Sequence, residues 1–172
     1  FFNLPEYAPQ PDSQQSWWAF DDTYAPMVQH FSDPGFYKAH GGHQYIGSMA
    51  VTDGAALEYT PRKCDDWAIS PMLYGGSQTI SFWAKSMLAD ALETVEVLYS
   101  TTGKAPADFT SLKTFSDVPW KWTQYFVQLP AGAKYFAIRN IGRDQYVLMI
   151  DDVTFTPSSA DAVLEVEGYN VY

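Results

Sequence analysis

Apolar and polar residues alternate along much of this chain, and turn-forming residues interrupt the alternation at short intervals. In QTISFWAKS, Ile80, Phe82 and Ala84 alternate with Thr79, Ser81 and Lys85; in TVEVLYST, Val95, Val97 and Tyr99 alternate with Thr94 and Glu96. A period of two puts one set on each face of a β-strand. WTQYFVQL and KYFAIRNI read as two more strands, joined by PAGA, a turn suited to a hairpin. WWAF reads as an aromatic strand running into an acidic turn at Asp21 and Asp22. HGGHQYIGSMAV gives a Gly-Gly loop and then a short strand, and DWAISPML a short strand cut by Pro71. GKAPADFTSLKTF is the longest irregular stretch, with one helical turn at PADF. YVLMIDDVTF closes the set. About eight short strands without a long helical pattern predict an all-β fold. Long connections mixed with tight turns favour a jelly-roll or Greek-key β-sandwich over a simple meander.

The last of these strands carries a contradiction. Strict alternation puts Val147, Met149, Val153 and Phe155 on one face with Asp151. Tyr146, Leu148, Ile150 and Thr154 then share the other with Asp152. One carboxylate should therefore point among apolar side chains. A buried charge without partners costs several kcal/mol, a large share of the roughly 5–15 kcal/mol that holds a domain together.

Outside this rhythmic region the pattern changes. Residues 1–16 carry three prolines and read as an extended lead-in to a sandwich over 17–156. TPSSAD supplies a polar linker at 157–161, and 162–172 form either an extra edge strand or the cut-off start of a second module. The chain begins FFNLPEY without Met, which reads as the start of a mature or cut chain. No apolar run approaches the ~20 residues of a membrane span, so the chain is not expected to cross a membrane.

Composition narrows the partners. Ten basic residues against twenty acidic ones give a net charge of −10, which repels phosphate backbones and argues against nucleic acid. Cys64 is the sole cysteine, so no internal disulfide forms, and its KCDDW context reads as an inert thiol. The sequence lacks GxSxG, HExxH, CxxC and a Gly-rich phosphate loop, and it is read as non-catalytic.

Three groups of residues remain as candidates. His40 and His43 stand in HGGH, read as a loop without metal, and His30 is isolated. Trp17 and Trp18 are adjacent, while Trp120 and Trp122 flank Lys121; Trp17, Trp120 and Trp122 are each read as a core residue or a sugar-stacking platform. The acids pair as Asp21-Asp22, Asp65-Asp66 and Asp151-Asp152. A jelly roll often brings its first and last strands together, so Asp21 or Asp22 is expected beside Asp151 or Asp152. Either a calcium ion offsets their charge or backbone N–H groups in turns and bulges do.

DDWAISPML, QTISFWAKS, EVLYSTTGKAPADF, WTQYFVQLPAGAKYFAIRNIG and YVLMIDDVTF, in that order, resemble the cleaved-adhesin domain. This family, also called the choice-of-anchor J domain, occurs in gingipain and haemagglutinin adhesin regions of Bacteroidetes. The resemblance covers about residues 17 to 156. It implies a jelly-roll sandwich, secreted or at the cell surface, that binds a host or matrix protein or a glycan without catalysis. It also implies a structural calcium with Asp21, Asp22, Asp151 and Asp152 as ligands, and neighbouring modules of fibronectin type III kind. A carbohydrate-binding module of a larger secreted enzyme is the alternative. The family often opens Phe-Glu where this chain has Phe1-Phe2.

Overall fold

Ile80, Phe82 and Ala84 are fully buried, whereas Thr79 is exposed and Ser81 and Trp83 are half-buried. The alternation in QTISFWAKS is thus that of a strand lying between a core and an outer face. A computed structural model describes residues 17–23, 35–49, 64–143 and 145–158. Nine strands lie among them. They are β1 (Trp18–Asp21), β2 (Gln44–Met49), β3 (Asp66–Ile69), β4 (Gln78–Ser86), β5 (Glu93–Ser100), β6 (Thr110–Val118), β7 (Thr123–Leu129), β8 (Tyr135–Asn140) and β9 (Val147–Thr154). The expected lead-in over 1–16, His30, and the strand over 162–172 lie outside the described residues.

Two antiparallel sheets face each other, β1-β2-β9-β4-β7 and β3-β8-β5-β6. The last strand sits between the second and fourth, the crossing order of a jelly-roll sandwich. The main core fills the space between the sheets. It takes Ile80, Phe82 and Ala84 from β4, Val95 and Val97 from β5, Phe136 and Ile138 from β8, and Leu148 and Ile150 from β9. A second apolar cluster lies on the outer face of the five-stranded sheet. There Tyr45, Met87, Val147 and Met149 are covered by Tyr37, with Phe20, Phe36, Ala39 and Trp122 around them. Residues 35–39 therefore cap this face like a lid.

Three expectations need correction. PAGA does not join a hairpin: β7 pairs with β4 in one sheet, and β8 pairs with β3 and β5 in the other. The turn instead carries the chain across the sandwich. Gly132 takes φ 85° and donates its N–H to the Gly75 carbonyl (2.8 Å), while the Ala133 N–H bonds the Pro130 carbonyl (3.2 Å). The irregular stretch runs into a nine-residue strand, β6, which begins within it at Thr110, with the helical turn at Pro106–Asp108 before it. Among the described strands β6 lies at an edge and pairs with β5 alone, and its mostly exposed residues need no alternation. Its pairing slips twice and Asp117 has φ 54°, irregularities that keep a long open edge from recruiting another strand.

The third correction resolves the paradox of β9. Ser81 pairs with Thr154 and Trp83 with Asp151, so two steps on β4 face three on β9. This is a β-bulge, and Asp152 within it adopts the left-handed φ of 47°. The extra residue reverses the phase of the strand. Leu148 and Ile150 point into the main core before the bulge, and Val153 and Phe155 pack against that same core after it. Neither aspartate enters the core: Asp151 is half-buried and Asp152 exposed.

Candidate functional site

The Lys38–His43 loop lies between the two acidic pairs and bonds both. Asp151 Oδ2 accepts the His40 N–H (2.9 Å) and the Gly41 N–H (3.0 Å), while Asp151 Oδ1 accepts the N–H of Asp152 (2.7 Å). Asp152 Oδ2 lies 2.7 Å from His40 Nδ1. The loop must approach closely. A Cβ on Gly41 would stand 2.8 Å from Asp152 Oδ2, and Gly42 takes φ 59°.

Asp22 fastens the other end. Its carboxylate is almost fully buried and accepts the Ala39 N–H (3.1 Å). His43 Nδ1 lies 3.1 Å and Lys38 Nζ 3.4 Å from its Oδ1. The Asp22 N–H in turn donates to the His43 carbonyl (2.8 Å). Burial pushes the Asp22 carboxyl up, but the Ala39 N–H, His43 and Lys38 outweigh it and hold it below the usual carboxylate range. Asp21 faces outward and caps its own turn by accepting the Thr23 N–H (2.9 Å) and hydroxyl (2.6 Å). Those hydrogen bonds from Thr23 lower its pKa as well.

Aromatic rings seat the loop on the sheet. The His40 imidazole stacks on Trp83, with centroids 3.8 Å apart and planes at 16°, and Trp122 meets it edge-on at 6.0 Å. The Trp122 indole N–H donates to the Lys38 carbonyl (3.0 Å). Lys85, buried on the outer face of β4, donates to the Gly35 carbonyl and to that of Phe36 (3.4 Å).

The structure therefore gathers three of the four candidate aspartates, Asp22, Asp151 and Asp152, around one loop, while Asp21 caps its own turn. Among the described residues, no group of three or more His, Cys, Asp or Glu side chains is placed to hold a metal ion. Asp22 Oδ2 and Asp151 Oδ2 accept hydrogen bonds from N–H groups of the loop, contacts that a cation there would have to share or displace. The candidate tryptophans are dispersed. Trp17 packs against the main core and donates its N–H to the Asp66 carbonyl (3.1 Å), Trp122 lies within the loop's aromatic seat, and Trp120 is exposed beside Lys121.

Sequence reasoning passed over Lys38, Lys85 and Trp83, which have no motif. It also passed over Glu93, whose signal was present: Glu93 shares the phase of Val95 and Val97, so alternation carries it inward, and it is fully buried.

This two-sheet sandwich with a strapped outer face agrees with what comparison shows. Residues 15–155 match the Cleaved Adhesin Domain family, and the chain belongs to it. Lys-gingipain W83 of Porphyromonas gingivalis is 29% identical over 144 residues, covering 70% of this chain and 8% of that protein. Hemagglutinin A of the same species, strain ATCC BAA-308 / W83, is equally similar over 70% of this chain and 7% of its own length. The chain thus spans less than a tenth of either relative. Among solved structures, the K1 cleaved adhesin domain of Lys-gingipain superposes with a TM-score of 0.65 at 22% identity, over 86% of this chain and 87% of that one. The K3 domain gives 0.59 at 24% identity, over 83% and 91%. No helix among the described residues is long and apolar enough to cross a membrane.

Proposed function

We propose that this chain is a non-catalytic binding module of a larger secreted or surface-exposed protein, recognising host or matrix protein or glycan. The family match across most of the chain carries this reading, and one relative bears the name hemagglutinin. Asp22, Asp151, Asp152, His40 and His43 support it, because their side chains hold a loop to a sheet. The test is binding of the purified module, tetramerised for avidity, to arrays of extracellular proteins and glycans and to erythrocytes. Saturable binding without turnover of the bound partner is expected. Absence of binding to all three surfaces would sink the proposal.

The carbohydrate-binding alternative draws on one feature. Phe126 is 61% exposed on edge strand β7, with Gln124 and Gln128 exposed on the same face, and Trp120 is exposed nearby in sequence. A ring flanked by amides suits a sugar face, and Phe126→Ala should then abolish glycan binding while leaving protein binding intact. Calcium, which the family resemblance implies, would have to displace the N–H donors of Asp151 or draw oxygens from outside the described residues. Thermal unfolding in EDTA and then in millimolar calcium, with magnesium as control, tests it. A calcium-specific rise in Tm would support an ion there, and equal Tm values, in protein shown metal-free by elemental analysis, would leave the loop to its hydrogen bonds.

A further inference from the structure

Far from the Lys38–His43 loop in sequence, a second polar group is sealed inside the sandwich. Glu93 opens β5 and is 0% exposed, and neither of its carboxylate oxygens accepts a hydrogen bond of normal geometry. The donors nearest at hand are the Tyr146 N–H and the Asn140 side chain. Glu93 and Asn140 converge on Gly142, where a Cβ would stand 2.2 Å from Glu93 Oε2 and 3.0 Å from Asn140 Oδ1. Asp66, at the start of β3, is also buried. Its Oδ2 accepts the Ser48 hydroxyl (2.6 Å), and Ser48 Oγ accepts the Asn140 amide (2.8 Å). Two buried carboxyls thus flank Asn140 at the ends of β3, β5 and β8.

Among the described residues, few charges face these two carboxyls. Asp65, beside Asp66, turns outward to Arg139. Arg143 is exposed, Tyr146 packs its ring against the outer cluster, and Cys64 donates its N–H to the Gly142 carbonyl (2.8 Å). β2 and β4 contribute the neutral Ser48 and Ser86, the latter accepting the Glu93 N–H (2.8 Å), and β6 contributes Val118 opposite Glu93. Among the described residues no cation is ion-paired with Glu93 or Asp66. An ionised Glu93 would then be a buried charge without a counterion, beside a second acid.

We propose that Glu93 and Asp66 form a proton-sensing pair: one carboxyl proton on Glu93 is part of the folded structure, and its loss as the medium turns alkaline loosens the end of the sandwich at Cys64–Asp66 and Ile141–Arg143. Burial pushes the Glu93 carboxyl up from 4.5 to about 8, with Asp66 adding to the rise against the Tyr146 and Asn140 donors. Burial raises Asp66 too, with Ser48 opposing. The folded protein then binds a proton that the unfolded chain has released. The Glu93 contribution to stability is complete below about pH 4.5 and is lost as pH climbs from there through about 8.

The experiment is denaturant unfolding of the whole chain from pH 5 to 9, for the parent, Glu93→Gln and Asp66→Asn. Glu93→Gln keeps the shape and removes the titration. The parent's unfolding constant should rise about tenfold per pH unit up to pH 8, and that of Glu93→Gln should stay flat by comparison. Imidazoles common to both chains cancel in the difference. Asp66→Asn removes the neighbouring negative charge, so its decline should end at lower pH than the parent's. Amide exchange, corrected for its intrinsic pH dependence, should show the Cys64 and Ile141 N–H groups losing protection ahead of Val97 as pH rises. Parallel profiles for parent and Glu93→Gln would overturn the proposal. Should Glu93→Gln fail to fold, an Asp66→Asn profile identical to the parent's would overturn it equally.

Discussion

Replacing Asp151 by Ala tests how the bulge in β9 fastens the Lys38–His43 loop. The substitution removes the acceptor of three N–H groups, those of His40, Gly41 and Asp152. Hydrogen bonds to a charged acceptor are worth about 1.5–3 kcal/mol each when buried. Asp151 is only half-buried, and water can reach part of what it leaves, so the net cost should be about 2–3 kcal/mol in total. For a domain of this size that lowers Tm by about 4–12 °C. Asp152 should behave differently. Its side chain is 48% exposed, so its pairing with His40 contributes about 0–1 kcal/mol. Its φ of 47° also favours Gly, so Asp152→Gly should stay within about 1 kcal/mol of the parent. Urea unfolding of both variants, with and without calcium, is the assay. Equal losses from the two substitutions, or a loss below about 0.5 kcal/mol for Asp151→Ala, would refute the reasoning.

Other consequences are as direct. Asp22→Ala leaves Lys38, His43 and the Ala39 N–H around an empty acceptor and should cost about 3 kcal/mol in urea unfolding. Because the Asp22 pKa is lowered, its contribution is present above the ordinary carboxylate range and lost as pH falls through the lowered value, so acid unfolding of Asp22→Asn should be less steep than the parent's. Lys85→Met removes the donor to the Gly35 and Phe36 carbonyls and should free the cap over the second cluster, read as faster proteolysis at residues 35–39. Gly47→Ala would place a Cβ 2.7 Å from the Phe20 ring and should lower stability by about 1–3 kcal/mol in urea unfolding.

The sequence made the sandwich legible wherever one face of a strand meets the core. β4, β5 and β7 announce themselves in this way, because alternation is what half-burial demands. β6 was hidden for the same reason, since an exposed edge strand has no buried face to write into the pattern. PAGA misled because a turn's local chemistry is the same whether its strands pair or part into separate sheets. The bulge in β9 defeated strict alternation, yet the misfit of two aspartates among apolar residues was its trace. The acidic pairs could be named as candidates, but their partners could not. His40 meets Asp151 across 111 residues and His43 meets Asp22 across 21, separations set by topology and not by any local motif.

The fastening of the Lys38–His43 loop by Asp151 is tested most directly by amide exchange at His40 and Gly41. Both N–H groups lie on a loop, outside any strand, and among the described residues Asp151 is the acceptor of both. In the parent protein the two should be protected, and in Asp151→Ala that protection should vanish while the core amides of Phe82 and Val97 keep theirs. Equally rapid exchange of His40 and Gly41 in the parent and in Asp151→Ala would contradict the account.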